Sequence, residues 1–358
     1  MDDINEILVD TTTRLYGDLF PENSVPDLAN WNGEAWRAVA ETGLPLALLD
    51  ERDGGFGIDG PTALTLLRLA SRSTGALPLG ETMLANFVLS RSGLAVAQGV
   101  ATVAAADETG ALSLVQQDEE TYTLSGTVTG VPWGRQAECA ALVLSQDGET
   151  WVIRVPASGW IASRGDNLAR LPRDRLDINV TLPISAVRRA GNAWSVDRLR
   201  ATGAAIRVQE IAGALDAVLD RTVRYANERV QFGRPIGKQQ AVQQQVAVLA
   251  GHVVAAGAAA SIAADAFDRP DGLHAIAAAK IRAGEAAGAA AAIAHQVHGA
   301  IGFTGEHALH VFTKRLWAWR DEFGSERVWS RRLGQWALEA GPDGFWPLVT
   351  ALGESKAA

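Results

Sequence analysis

Residues 228–237 read Glu-Arg-Val-Gln-Phe-Gly-Arg-Pro-Ile-Gly, and residues 296–304 read Gln-Val-His-Gly-Ala-Ile-Gly-Phe-Thr. In the first stretch Gly233 and Pro235 end one helical pattern, and Gly237 precedes the next. The helix predicted before this stretch has one face formed by Ile211, Leu215, Val218, Thr222 and Tyr225. After it, segments 241–267 and 272–298 are rich in alanine, whose small side chain lets helix axes approach closely. The C-terminal half is therefore predicted to be a helical bundle.

The sequence before the C-terminal half contains two further regions with different secondary-structure patterns. Residues 1–99 are helical in pattern and punctuated by prolines, whereas residues 100–190 hold short β-type runs separated by turn residues. We expect an α+β fold with an N-terminal helical domain (1–99), a middle antiparallel β domain (100–190) and a C-terminal four-helix bundle domain (195–340). The tail, residues 341–358, contains Pro342 and Pro347 and is expected to be irregular.

Composition excludes several classes of protein. The 358 residues carry a formal net charge of −9, which argues against a nucleic-acid surface because phosphate binding needs clustered Lys and Arg. A single cysteine, Cys139, excludes an intramolecular disulfide and a cysteine-rich metal site. The N-terminus is acidic rather than basic, and no uninterrupted apolar run reaches membrane-spanning length. These features predict a cytoplasmic protein.

The quoted stretches contain the first candidate binding residues. An arginine fixed at a helix corner, Arg229, suits a pyrophosphate because its guanidinium donates two parallel charge-assisted hydrogen bonds. The alternative is a surface arginine paired with Glu228 or Asp220. In the second stretch, glycines allow close approach of a ligand and Gln296 offers donors and an acceptor. No carboxylate or cysteine completes a metal-ligand set with the histidines there, so we expect no metal site.

The two stretches, with Gln-Ala-Val-Gln after the first at 240–243, resemble the two C-terminal signature blocks of the acyl-CoA dehydrogenase family. Residues 36–57 also resemble the first helical domain of that family, and the resemblance extends from about residue 10 to residue 335. It implies the three-domain fold given above and FAD as the cofactor. It also implies an oligomer in which each FAD lies across a subunit interface.

The resemblance further implies roles for individual residues in binding the FAD of a neighbouring subunit. Arg229 would hold the pyrophosphate, Gln231 and Phe232 would line its channel, and Gln240 would contact the adenosine side. The turn from Gln296 through Gly299 to Ala300 would cradle the diphosphate. Ala300 replaces a glycine that is usual in the family.

The catalytic carboxylate of the family is missing from its usual places. Removal of the α-proton of an acyl-CoA needs a base while a hydride leaves for the flavin. Counted without gaps, the glutamate position of the family falls on Phe323, and its alternative position falls on Gly203. Glu322 would serve as the catalytic base if the loop were shifted by one residue. The other reading of Glu322 is a solvated or ion-paired surface group.

The β domain also departs from the family. Residues 129–134, Thr-Gly-Val-Pro-Trp-Gly, stand where the family has a Trp and a Thr that contact the flavin ring. Trp133 is a candidate substitute, although a buried tryptophan in a β domain is more often core. Residues 104–110 resemble a shortened form of the loop that covers flavin and thioester in the family.

The residues that would reach a neighbour's FAD are thus kept, whereas those around the chain's own flavin ring are altered. This pattern predicts a partner subunit of a heteromeric acyl-CoA dehydrogenase that completes the FAD site of a catalytic chain. The expected partners are an acyl-CoA substrate, an electron acceptor and further subunits of a homo- or hetero-oligomer. Two alternatives stay open: an autonomous acyl-CoA dehydrogenase using Glu322, and a flavin-free binding or scaffold protein.

Overall fold

The computed structural model describes residues 2–22, 24–107 and 112–351. The α-helices are α1 (Asp2–Leu19), α2 (Gly33–Glu41), α3 (Gly60–Ala70), α4 (Leu79–Arg91), α5 (Val196–Glu228), α6 (Gln240–Ala266), α7 (Leu273–His298), α8 (Leu309–Asp321) and α9 (Glu326–Ala351). The strands are β1 (Ala101–Ala106), β2 (Leu112–Gln116), β3 (Thr121–Pro132), β4 (Cys139–Gln146), β5 (Glu149–Pro156), β6 (Trp160–Ser163), β7 (Arg173–Pro183), β8 (Val187–Arg189), β9 (Val230–Gln231) and β10 (Arg234–Pro235). The expected order of helices, strands and helices is confirmed.

Contacts group these elements into two compact units. One unit contains residues 1–27, 60–75 and 201–358, and the other contains residues 28–59 and 76–200. Helices α1 and α3 therefore group with the C-terminal helices, while α2 and α4 group with the strands. The domain boundaries expected from the sequence, at 99, 190 and 340, stay a prediction.

The β unit is built from two four-stranded sheets. The strand orders are β1-β4-β5-β8 and β2-β3-β7-β6, and among these pairs only β1 with β4 is parallel. One buried cluster takes Leu142 and Ile153 from the first sheet and Leu124 and Leu176 from the second. The two sheets thus share a core, which is formed by the inward-facing residues that alternate along their strands. A mainly antiparallel β domain was expected and is confirmed.

The helical unit depends on small side chains. Helix α7 packs against α6, α8 and α9, and most of its buried residues are alanines. Close approach of helix axes leaves little room for larger side chains, as the alanine-rich sequence predicts. Helix α6 has the length and mean hydropathy, 1.9, to cross a membrane, and a third of its apolar window is buried. It packs against α7 and α3, and a cytoplasmic location stays a prediction.

The C-terminal tail differs from expectation. Residues 341–358 were expected to be irregular, but helical structure continues to Ala351 across a kink at Gly341, where φ is 69°. A glycine tolerates this positive φ, and Pro342 then suits the first turn of the next helical segment because that turn needs no backbone N–H bond. Residues 352–358 lie outside the described part of the chain.

Candidate flavin-edge site and the position of the missing base

The first quoted stretch folds into a tight hairpin. Strands β9 and β10 pair antiparallel, with Phe232 and Gly233 between them at φ values of 53° and 76°. Positive φ at both central residues is the requirement of a two-residue type I′ turn, which explains the glycine. The backbone N–H of Ile236 donates to the carbonyl of Arg229 at 2.8 Å and closes the hairpin.

A small apolar cluster joins this hairpin to the second quoted stretch. Ala226, Ile236 and Val297 are buried together, and Tyr225 and Ile293 pack against them. The helix before the hairpin, the hairpin base and the end of α7 therefore meet at one place. The structure brings together the two blocks that lie some 60 residues apart in sequence.

The sequence-predicted binding residues lie exposed around this cluster. They are Arg229, Gln231, Phe232, Gln240, Gln296, Gly299 and Ala300. The ring of Phe232 is 92% exposed at the hairpin tip. The Arg229 side chain makes no ion pair with any described residue, and Asp220 pairs instead with Arg72 at 2.8 Å. An exposed guanidinium, exposed amides and Gly299 with φ of 63°, all close in sequence to this cluster, are groups that fit the diphosphate part of FAD.

The histidines of the second stretch are packed as aromatic core. His298 stacks on Tyr225 with centroids 4.5 Å apart, and its Nδ1 donates to the carbonyl of Ala294 at 2.7 Å. His295 stacks on Phe303 at 4.1 Å, and its Nε2 lies 2.9 Å from the Thr313 hydroxyl. Burial lowers the pKa of His298 to about 4 and also lowers the pKa of His295. Among the described residues no group of three His, Cys, Asp or Glu side chains that could hold a metal ion occurs.

Gly203 and Phe323, the two positions on which the sequence predicts the base of the family to fall, are in contact. A Cβ atom added at Gly203 would lie 2.3 Å from Cδ1 of the Phe323 ring, far inside van der Waals contact. Phe323 has φ of 55° and is followed by Gly324 at 102°, so the chain turns sharply after α8. The ring thus fills the space of a side chain at position 203, and neither position offers a carboxylate.

The remaining candidate base is engaged in an ion pair. Oε2 of Glu322 accepts a hydrogen bond from Nε of Arg207 at 2.8 Å. Arg207 is fully buried, also bonds Glu210, and has its guanidinium carbon 5.6 Å from the centre of the Phe323 ring. A buried guanidinium needs its carboxylate partners, because removing one leaves an uncompensated charge. Glu322 therefore compensates Arg207, which favours the ion-paired reading of this residue.

A buried lysine fixes the same loop. Nζ of Lys280 donates to the carbonyls of Trp319, Arg320 and Gly324 at 3.2, 2.6 and 3.0 Å. Burial lowers the pKa of Lys280 to about 8. The indole N–H of Trp329 adds a bond to the carbonyl of Phe323 at 3.1 Å. A one-residue shift that would re-aim Glu322 has to break these bonds.

The β-domain segment at 129–134 is equally constrained. Trp133 is 5% exposed and packs edge-on against Trp31 with centroids 5.6 Å apart, so it is core. The Thr102 hydroxyl donates to the carbonyl of Pro132, and the N–H of Trp133 donates to the carbonyl of Pro172 at 3.2 Å. A side chain at Gly130 would meet open space. In the loop at 104–110, residues 108–110 lie outside the described part of the chain, while Ala104 and Ala106 belong to β1.

Sequence reasoning missed Arg207, Glu210 and Lys280. Their charges inside otherwise apolar helical patterns are the one signal in the sequence, because a charged residue at a core position implies a buried partner. The contact between Gly203 and Phe323 had no such signal, since only the fold brings residues 120 positions apart together.

Comparison with known proteins agrees with this architecture. Residues 194–336 match the family model described as acyl-CoA dehydrogenase, C-terminal domain. In structure, the chain is similar to a chain of the ChsE4-ChsE5 complex from Mycobacterium tuberculosis, with a TM-score of 0.79 and 22% identity over 94% of this chain and 98% of that chain. This likeness supports the fold.

Two curated relatives, both named acyl-CoA dehydrogenases of Mycobacterium tuberculosis, extend the comparison to sequence. FadE34 is 31% identical over 313 residues, which are 84% of this chain but 42% of FadE34, so the chain spans less than half of that relative. IpdE2 is 30% identical over 299 residues, which cover 83% of this chain and 85% of IpdE2. On this similarity, which extends over most of both chains, the protein belongs to the acyl-CoA dehydrogenase family.

Proposed function

We propose that this chain is the partner subunit of a heteromeric acyl-CoA dehydrogenase and completes the FAD site of a catalytic chain. The observation that carries the proposal is the contact between Phe323 and Gly203. At the two positions where we expect the base of the family, this chain has Phe323 and Gly203, and the ring of Phe323 fills the space that a side chain at position 203 would need. Neither residue can accept a proton. The proposed reaction of the complex is α,β-dehydrogenation of an acyl-CoA thioester.

The contribution of this chain is the edge formed by the hairpin and the end of α7. Arg229 would donate charge-assisted hydrogen bonds to the FAD diphosphate of the neighbouring chain. Gln231, Gln240 and Gln296 would supply amide donors and acceptors along the same cofactor, and Phe232 would cover it from the hairpin tip. FAD, when bound, supplies the hydride acceptor. The residues of this chain bind and orient it.

The autonomous alternative requires Glu322 to accept the α-proton. Its carboxylate already accepts a hydrogen bond from Arg207 and compensates that buried charge. Protonation of Glu322 would remove its negative charge from beside Arg207, which also bonds Glu210. The geometry therefore favours a base on another chain.

The relatives give independent support. The ChsE4-ChsE5 structure is a complex of two differently named chains. The segment matched in FadE34 is 42% of that protein, which leaves length for a second segment of similar size on the same polypeptide. Both cases are compatible with acyl-CoA dehydrogenase folds that work in unlike pairs, and we extend this arrangement to the present chain.

The proposal is tested by co-purification from the native host, with identification of the associated chains and of bound flavin. We expect an acyl-CoA dehydrogenase chain and FAD to copurify, and we expect Glu322→Gln in this chain to leave flavin reduction by acyl-CoA intact. Loss of reduction with retained flavin in that variant would instead establish the autonomous reading. A copurified complex without flavin would establish the scaffold reading.

A further inference from the structure

The helical unit contains a cavity that the proposed function does not use. Its volume is about 520 Å³, and it lies among α1, α3 and α5. Its aromatic lining comes from Tyr16 of α1 and from Phe20, which follows that helix. Its charged lining comes from Glu22, Arg72, Asp220, Arg221 and Arg224. Cavities of roughly 300–1,000 Å³ are of the size that holds small organic ligands.

The two long sides of this cavity differ in chemistry. The α1 side is aromatic, with the rings of Tyr16 and Phe20 buried and their centroids 6.0 Å apart. The α5 side is charged and carries two ion pairs, Arg72 with Asp220 and Arg224 with Glu22. Three arginines against two carboxylates leave one net positive charge among the lining residues.

The excess charge lies on Arg221. The residue is 7% exposed, and its guanidinium donates to the main-chain carbonyl of Glu22 and lies 5.0 Å from the centre of the Phe312 ring. It forms no hydrogen bond with a carboxylate among the described residues. Its Nε is buried without any hydrogen-bond partner, and burial lowers the pKa of Arg221. A buried cation without a bonded anion is unfavourable, so an anion entering beside it would be stabilised.

We propose that this cavity binds an organic monocarboxylate with an apolar ring system. The ring would lie against Tyr16 and Phe20, and the carboxylate would face the arginines of α3 and α5. The side chains in the ion pairs of Arg72 and Arg224 are about half exposed, so each pair contributes little to stability. An incoming carboxylate can therefore bind either arginine with little loss of free energy from the ion pair. Charge-assisted bonds from a guanidinium then fix the carboxylate end.

Gly17 provides a test that leaves every charge in place. It lines the cavity on α1, and a Cβ atom added there meets nothing within 4 Å. Gly17→Trp should therefore add an indole at the α1 wall of the cavity without a clash at its Cβ, and Gly17→Ala is the matched control. The probe is naphthalene-2-carboxylate, titrated into the full chain by calorimetry. We expect saturable one-to-one binding that Gly17→Ala keeps and Gly17→Trp weakens by about tenfold or more, equivalent to about 1.4 kcal/mol.

The neutral isostere, naphthalene-2-carboxamide, tests the charge requirement on the unmodified chain. Because it cannot pair with a guanidinium as an anion does, we expect it to bind at least about tenfold more weakly than the carboxylate. Equal binding of amide and carboxylate, unchanged carboxylate binding by Gly17→Trp, or no saturable binding of the carboxylate would each overturn the proposal. Flavin content is not a readout here, so this result is independent of the proposed function.

Discussion

At the scale of single residues, the two positions predicted for the base of the family hold residues that fit each other. An aromatic ring at position 323 needs a partner without a side chain, and Gly203 is that partner. The sequence located both positions through the family resemblance but gave no reason to pair them. The same holds for Arg207 and Lys280, whose buried bonds depend on which helices become neighbours. Local patterns identify candidate residues, whereas their partners come from the tertiary fold.

This pairing makes a prediction about stability. Gly203→Ala should destabilise the chain by about 1–3 kcal/mol because its methyl overlaps the Phe323 ring. In a Phe323→Ala background the same change should stabilise by up to about 1 kcal/mol, since alanine is the better helix former once the ring is gone. Urea unfolding of the four proteins measures both effects. An equal effect of Gly203→Ala in the two backgrounds would show that the ring and the glycine are not coupled.

Because Lys280 is buried, we expect the free energy of unfolding to depend on pH. Its folded-state pKa is lowered to about 8, whereas an unfolded lysine titrates near roughly 10.4. Between these two pKa values the unfolded chain binds more protons at Lys280 than the folded chain does, so the free energy of unfolding rises with pH. The contribution of this group to stability is lost as the pH falls to the folded-state pKa of about 8. Relative to Lys280→Met, the unmodified chain should gain up to about 3 kcal/mol across this window, at about 1.4 kcal/mol per pKa unit. Urea unfolding at several pH values checks this, and parallel curves for the two proteins would contradict it.

Arg229 predicts an effect on flavin retention. Without its guanidinium the complex should hold FAD more weakly by about 1.5–3 kcal/mol, the range for a hydrogen bond to a charged group. The control is Arg234→Ala, because Arg234 is exposed on the other strand of the same hairpin. Flavin fluorescence during dialysis of the copurified complex compares the two variants. The assignment of Arg229 fails if its variant retains flavin as well as the Arg234 variant does.

At the scale of elements, the sequence predicted β3 and β5 well because their runs are rich in β-branched and aromatic residues, and it predicted β4 as a short apolar run between turn residues. It gave no separate signal for β1, whose Ala-Thr-Val-Ala-Ala-Ala composition suits a helix as well as a strand. Pairing with β4 decides in favour of the strand there. The long helices α5 to α7 were predictable from spacing and alanine content. The extension of α9 beyond Gly341 was not, because two prolines and a glycine usually end a helix.

Helix α6 predicts an assembly surface. Val248, Val254 and Ile262 are exposed on it, and Val254 is 71% exposed. Exposed apolar side chains along a helix are stabilised when another subunit buries them. The same helix begins at Gln240, which is one of the residues predicted to contact FAD. Val254→Lys should therefore shift the chain to smaller species in sedimentation velocity. Val115→Lys, at an exposed valine on β2, is the matched control and should not. Unchanged assembly of Val254→Lys would exclude α6 from the interface.

At the scale of the whole molecule, we propose that unlike chains each supply a part of the flavin site. A homo-oligomer needs both the flavin-edge residues and the base in one sequence. This chain carries the exposed edge around Arg229 and Gln296 but has Phe323 and Gly203 at the base positions. The family and fold were predictable from two blocks of sequence because those blocks hold the turn and corner residues of the edge. The sequence of the proposed partner chain could not be predicted, because one chain specifies the surface that it offers and not the sequence that binds there.

A ligand bound across a subunit interface stabilises only the assembled form, so FAD and assembly should be linked. The most direct measurement is sedimentation of this chain at decreasing concentration, alone and with its copurified dehydrogenase chain, each with and without FAD. The account predicts that the chain alone acquires no stoichiometric FAD, and that FAD holds the two-chain complex together at concentrations where it otherwise dissociates. A folded, monodisperse monomer that binds one FAD per chain without a partner would contradict the central claim.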